Sequence, residues 1–338
     1  MTAILKRASF FWGKSAGERR DVSLSLAALI AICLLAIAIS PTAFDGSRIF
    51  LELGNLTDIL RQVSIIGIIS LAMTFVILTG GIDLSVGSIL ALSTSVVALV
   101  LTHWNPGGAQ PFVIAVAMLA ALAVSTAAGA FQGAVIALFE VQPFVVTLAG
   151  MIGIRGLAKW LSNNANIDIG FGRDVASTFA GIFRGKSVII GCYIGLALIF
   201  GLLLSWTVFG RHVRATGDNE RASRYAGLPI RRIKVLVYAL SGLLSGVAGI
   251  LYAAENHQGN PNSGIAYELD AIAAVVIGGT RLSGGKGTIL GTIVGTLMIG
   301  VLTNMLRLNN VDSNVEMMVK AVIIILAVAV QRQGRVAQ

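Results

Sequence analysis

Charge is scarce in this sequence. Asp, Glu, Lys and Arg make up 12% of its 338 residues, while 56% are hydrophobic and the mean hydropathy is +0.85. Soluble domains carry roughly a quarter charged residues, so the composition excludes one and leaves a multi-spanning membrane protein. Cysteine is scarce too. Cys33 and Cys192 both lie inside apolar stretches, so no disulfide framework is implied. The only histidines, His103, His212 and His257, fall in different loops on opposite faces and suggest no metal cluster. No nucleophile stands with a base, which argues against an enzyme and against a bound cofactor. Proline is limited to six residues, whereas the 39 glycines suit helices that approach closely in lipid.

The net charge of +9 is not a nucleic-acid signal, because the basic residues cluster beside apolar segments in the positive-inside pattern. The first apolar stretch, Val22 to Ile39, is too long for a signal-peptide core and lacks a small-x-small cleavage site, so it is expected to remain as a span.

A spanning helix needs about 20 mostly apolar residues. On that basis the expected fold is an all-α polytopic membrane protein of about ten segments, near 22–40, 60–79, 86–102, 111–139, 143–161, 187–209, 234–254, 270–280, 288–307 and 315–331. The eighth is too short and too glycine-rich for an ordinary span. A basic arm (1–21, with Lys6, Arg7, Lys14, Arg19 and Arg20), the segment 210–234 (Arg211, Arg214, Arg221, Arg224, Arg231, Arg232, Lys234) and a tail (332–338, with Arg332 and Arg335) flank or divide the transmembrane domain 22–331. Even numbers of crossings separate the three, so all are expected on the cytoplasmic side.

An internal echo stands out. "GGIDLSVG" (Gly80–Gly87) and "GGTRLSGG" (Gly278–Gly285) share Gly-Gly-x-x-Leu-Ser-x-Gly, one in each half. Paired glycine-interrupted apolar segments point to a transport site, since irregular backbone at membrane depth needs protein or water around it. Gly80, Gly81, Asp83, Ser85, Gly278 and Gly279 are thus candidate pathway residues. A carboxylate in a membrane costs roughly 3 kcal/mol on insertion scales. Asp83 is expected to cap the helix that follows it, in preference to relaying protons. Gln132, beside Phe131, needs a polar partner, either a neighbouring helix or the pathway. Arg155 and Lys159 are expected to snorkel, and Trp104, Trp160 and Tyr252 to anchor at the interface.

In "GRHVRATGDNERASRYAGLPIRRIKV" (Gly210–Val235), Asp218 or Asn219 can cap a helix start, Glu220 suits its first turn, and Gly227 and Pro229 end it. A helix of about two turns, "NERASRYA", is not stable alone and needs a partner, either anionic headgroups or a docked protein.

These segments, with "VQPFVVTLAGMIGIRG" and "YELDAIAAVVIGGTRLSGGKGTILGTIVG", resemble the permease subunits of bacterial ribose-type ABC sugar importers, over about 55–331. The resemblance implies a multi-pass inner-membrane protein that pairs with a second copy or a sister permease. A cytoplasmic ATPase and a periplasmic sugar-binding protein would complete the importer. It implies further that Gly217, Asp218, Asn219, Glu220, Ala222 and Gly227 form a helix coupling to the ATPase. Tyr267, Glu268 and Asp270 of "YELD" would lie near the pathway, with Gly80–Ser85. Besides lipid and these proteins no partner is expected, nucleic acid included. ATP would bind the partner: "TRLSGGKGT" misses the phosphate-loop pattern at Thr280 and Gly287. Two alternatives remain: an ABC permease for branched-chain amino acids or nucleosides, and an ion-coupled secondary transporter using Asp83.

Overall fold

A computed structural model describes residues 16–43, 46–104, 109–172 and 174–336. In it the chain is helical almost throughout. The helices are α1 (Ala16–Ile39), α2 (Leu53–Leu78), α3 (Val86–Thr102), α4 (Gln110–Phe139), α5 (Pro143–Leu161), α6 (Val175–Phe183), α7 (Lys186–Trp206), α8 (Val208–Asp218), α9 (Glu220–Tyr225), α10 (Ile230–Asn256), α11 (Tyr267–Ile277), α12 (Ile289–Leu308) and α13 (Ser313–Val336). The expected arm and tail fall partly outside the described residues, and their described ends simply extend α1 and α13.

Seven of these helices (α1, α2, α4, α5, α7, α10 and α12) are long and apolar enough to cross a membrane. The shorter α3, 17 residues, is apolar throughout. At about 1.5 Å per residue it falls a little short of the hydrocarbon core. The eighth expected segment is the 11-residue α11. Helices apolar on every side belong in a core or in lipid, and both cases occur. The largely buried α2, α10 and α12 form the interior, while α1 and α5 lie outside with few of their side chains buried.

Small residues let the inner helices touch backbone to backbone. A methyl on Gly129 of α4 would strike the Tyr238 carbonyl of α10, and one on Gly242 would strike the Ser125 carbonyl. The α11–α12 pair repeats this, with Gly278 against Gly291 and Gly295 against the Ala274 carbonyl. Van der Waals contact of this kind is the main attraction between helices in lipid.

Polar residues gather at the two ends of the bundle. At one end, strand β1 (Ile167–Asp168) pairs antiparallel with β2 (Gln258–Gly259). Nearby, Asp58 meets Lys186 at 2.9 Å and Arg61 meets Glu255 at 2.9 Å. The other end carries the α4–α5 turn, α8, α9 and both glycine-rich breaks.

Two local expectations need correction. The stretch 162–186, left between the expected segments 143–161 and 187–209, contains β1 and the helix α6, whose Asp174 carboxylate accepts from the Ser177 amide at 2.9 Å. The segment 187–209 is not continuous. It stops at Trp206, and Thr207 caps the separate helix α8 by accepting from the Gly210 amide at 3.1 Å.

Candidate functional site: two helix breaks and the basic segment

Both breaks begin with the same helix stop. At the end of α2 the Gly81 amide reaches back to the Val76 carbonyl (3.1 Å), with Gly80 left-handed at φ +79°. At the end of α11 the Thr280 amide reaches back to Val275 (3.1 Å), with Gly279 at φ +92°. This is the Schellman stop, which glycine adopts without the cost a side chain would add. The structural equivalence therefore runs Gly80 to Gly279, one residue out of step with the motif, which aligns Gly80 with Gly278. The links that follow differ too: α3 restarts at Val86, whereas α12 waits until Ile289, capped by Thr288 on the Gly291 amide at 3.0 Å.

Asp83 lies in the first break with no solvent exposure. One carboxylate oxygen accepts from the Ser85 amide (2.9 Å) and hydroxyl (2.6 Å), and the other from the Ser241 hydroxyl of α10 (2.7 Å). Gln132 of α4 donates to the Ser85 hydroxyl at 2.9 Å. Thr147 of α5 donates to the Ile82 carbonyl at 3.1 Å, and the Tyr238 hydroxyl to the same carbonyl at 3.4 Å. Side chains from three helices thus tie down the break, two of them bonding a backbone carbonyl that no helix satisfies, as irregular chain inside a membrane protein requires. Asp83 does not cap α3 as expected: its carboxylate closes an Asx turn onto Ser85, the N-cap residue, one step before the helix, and the first free amides of α3 receive no side-chain cap. The sequence placed Phe131 beside Gln132, but a step of about 100° around a helix separates them. Gln132 is 3% exposed and Phe131 70%.

The two breaks and the basic segment meet at one point. The Gly285 amide donates to the Leu78 carbonyl at 3.0 Å. Gly217, near the end of α8, lies so close that a methyl there would overlap the Leu78 carbonyl oxygen and stand 2.6 Å from the Gly285 nitrogen. Asp218 packs its side chain against Gly285. The break that holds Asp83 is therefore beside the basic segment, not at the far end of the bundle.

Within that segment, the short helix is narrower than "NERASRYA". Gly217 and Asp218 belong to α8, and Asn219 caps the six-residue α9 by accepting from the Ala222 amide at 3.0 Å. Gly227, at φ +81°, closes it, with the Leu228 amide on the Ser223 carbonyl at 3.1 Å. Ser223 fastens α9 to α8 through the Ala215 carbonyl (2.8 Å). Glu220 pairs with Lys234 at 2.9 Å, and Arg224 with Glu140 at 2.9 Å. Those four residues border a cavity of about 290 Å³ beneath the α4–α5 turn. Besides the paired Arg224, α9 leaves Arg221, Ala222 and Tyr225 outward, the last 92% exposed, with Ala226 exposed just beyond it.

The "YELD" residues diverge around the start of α11. Tyr267 meets Tyr252 edge-on, ring centroids 6.2 Å apart. Asp270 pairs with Lys320 of α13 at 3.2 Å. Glu268 turns towards Gly87 at the start of α3, and a methyl on Gly87 would stand 2.6 Å from its carboxylate. Sequence reasoning missed Ser241, Tyr238 and Thr147, ordinary small or aromatic residues that only the folded chain brings to the break.

The family described as branched-chain amino acid transport system, permease component, matches residues 55–328. The chain belongs to this permease family. It is 41% identical over 316 residues to the ribose import permease protein RbsC of Escherichia coli K12, covering 91% of this chain and 93% of that one. RbsC of Bacillus subtilis is also 41% identical, over 84% of this chain and 86% of its own. The D-allose transport system permease protein AlsC of Escherichia coli K12 is 34% identical over 88% and 90%. The permease is thus a transport subunit and not an enzyme, a multi-pass protein of the bacterial inner membrane.

Proposed function

We propose that the permease is the membrane-spanning subunit of an ABC importer and translocates a monosaccharide delivered by a periplasmic binding protein. The likeness to a ribose import permease over nine-tenths of the chain carries this reading. Its partners are a second permease, identical or sister, and a cytoplasmic ATPase, so ATP binds elsewhere. Both termini and residues 210–234 face the cytoplasm, and about ten segments cross or enter the membrane. The clustering of the basic segment with the α4–α5 turn at one end, and of residues 58, 61, 186 and 255–259 at the other, supports that topology.

In this reading α9 is the contact with the ATPase. Capped at both ends, fastened by Ser223 and showing Tyr225 to solvent, it is a rigid knob of the kind a groove can hold. Its movement would reach both breaks through Gly217, which touches Leu78 and Gly285 together. Gly80, Gly81, Asp83, Ser85, Gln132, Gly278 and Gly279 form the hinge of the pathway, and Phe131, Tyr267, Glu268 and Asp270 lie along or near it.

Purification in mild detergent from the native host tests the partnership. A stoichiometric ATPase should accompany the permease and be lost when "GDNERASRYAG" is scrambled. The permease alone, with sugar uptake intact and sensitive to an uncoupler, would instead point to ion coupling at Asp83. Against that alternative stands a carboxylate that already accepts three hydrogen bonds from Ser85 and Ser241.

A further inference from the structure

Arg155 does not snorkel. From the exposed helix α5 its Nη1 donates to the Pro261 carbonyl at 3.0 Å and to the Ser263 carbonyl, both in the loop between β2 and α11. That loop is pinned elsewhere as well. Thr94 of α3 donates to the Asn260 carbonyl at 3.1 Å and accepts from its amide at 3.2 Å. It leaves for α11 through two left-handed residues, Gly264 at φ +67° and Ala266 at φ +68°. For alanine that conformation is strained, and it persists only where neighbours hold it. The Arg155 clasp is one such hold.

Two residues beyond Ala266 lies Glu268. One of its carboxylate oxygens is buried and has no hydrogen-bond partner among the described residues. The Arg155 guanidinium is within electrostatic reach of it, yet spends Nη1 on the loop carbonyls. A buried carboxylate oxygen left unpaired is costly, and a cation is its natural partner. An arginine on a lipid-depth helix is likewise expensive unless satisfied. One arrangement is present here, and turning the guanidinium from the loop carbonyls to Glu268 would be a second.

We propose that Arg155 is a positioning residue that exchanges partners during transport. It holds the Pro261–Ser263 loop closed over the start of α11 in the present state, and it pairs with Glu268 when that loop moves away. This rests on the importer reading above and assigns to Arg155 and Glu268 the control of access at the end of the bundle opposite the basic segment.

The test uses the assembled importer in liposomes, with the permease as wild type, Arg155→Gln, Glu268→Gln and the double variant. Each single substitution should lower maximal ATP-dependent sugar uptake about tenfold, the scale of one lost charged hydrogen bond. The concentration of loaded binding protein giving half-maximal uptake should not change. The double variant should fall no further than either single one, because both remove the same exchange. A purely structural role predicts otherwise for Glu268→Gln: relieving a buried unpaired charge would leave uptake equal to wild type or higher. That result, or losses that multiply in the double variant, overturns the proposal. Should Arg155→Gln fail to assemble, the Glu268→Gln arm still decides. Absence of uptake by the wild-type importer would be a failure of the importer reading instead.

Discussion

The amide of Gly285 donates to the carbonyl of Leu78 across 3.0 Å, joining the end of α2 to the loop that follows α11. Leu78 ends the helix before the first glycine-rich break, and Gly285 lies in the second. Gly217 of α8 touches both partners, so a displacement of the basic segment cannot leave either break undisturbed.

That contact makes Gly217 intolerant of a side chain. Gly217→Ala places a methyl on the Leu78 carbonyl, which is backbone and cannot swing away. Overpacking of this kind costs about 1–3 kcal/mol. The purified variant should melt at a lower temperature than wild type. Gly153→Ala on α5, where a methyl meets open space, should differ by no more than about 0.5 kcal/mol. Equal stability of the two variants would contradict the close contact.

Asp83 is expected to matter as a hydrogen-bond acceptor and not as a charge. Asparagine can still accept from the Ser85 amide and hydroxyl, and the Ser241 hydroxyl can turn to accept from the new amide nitrogen. Asp83→Asn should therefore retain most ATP-dependent uptake. Asp83→Ala strands the hydroxyls of Ser85 and Ser241 and should lose about 3 kcal/mol of stability. Thermal unfolding and uptake on the same preparations would separate these outcomes. Loss of uptake in Asp83→Asn with stability intact would favour ion coupling.

For α9, capping and contact can be pulled apart. Asn219→Ala removes the bond to the Ala222 amide, worth about 1 kcal/mol at such a cap, and a six-residue helix has little else to spare. Tyr225→Ala removes an exposed ring that supports nothing in the chain. Both should reduce the amount of ATPase that co-purifies, and only the first should also lower the unfolding temperature.

The Glu140–Arg224 pair gives a dependence on pH. The hydrogen bond and charge of Arg224 hold the Glu140 carboxyl below the ordinary glutamate range. A lowered native pKa means stabilisation that is complete above the ordinary value and is lost as pH falls through the lowered one. The pair is exposed and the effect small. Wild type minus Glu140→Gln in unfolding temperature should therefore shrink as pH drops from neutral to below 4, about where free glutamate titrates. A difference that grows on acidification would contradict the pairing.

Where residues carried their own punctuation, the fold was legible. The segments 86–102 and 143–161 match α3 and α5, the second because Pro143 starts the helix and a polar run ends it. Gly227 was readable as a stop for the same reason. The helix α6 was hidden because nine residues between polar loops resemble a loop in hydropathy. Its available signal was Asp174 three residues ahead of Ser177, a cap pattern. The motif echo located both breaks but not their register, since eight shared letters do not say which glycine becomes left-handed.

Of the site, Asp83 and Gln132 were legible because polar groups in an apolar run must find partners. The partners were not. Ser241 and Tyr238 sit on α10, far along the chain, and nothing in their local sequence marks them. Arg155 was misread because its position near a helix end suits snorkelling, and the carbonyls of Pro261 and Ser263 exist as its partners only once the loop is folded.

Reconstitution decides the central claim. Permease, ATPase and periplasmic binding protein would be combined in liposomes and offered radiolabelled ribose, arabinose and allose singly. Uptake of at least one sugar that requires ATP, requires the binding protein and survives an uncoupler is the expected result. No ATP-dependent uptake of any sugar, or uptake by the permease alone that an uncoupler abolishes, would contradict it.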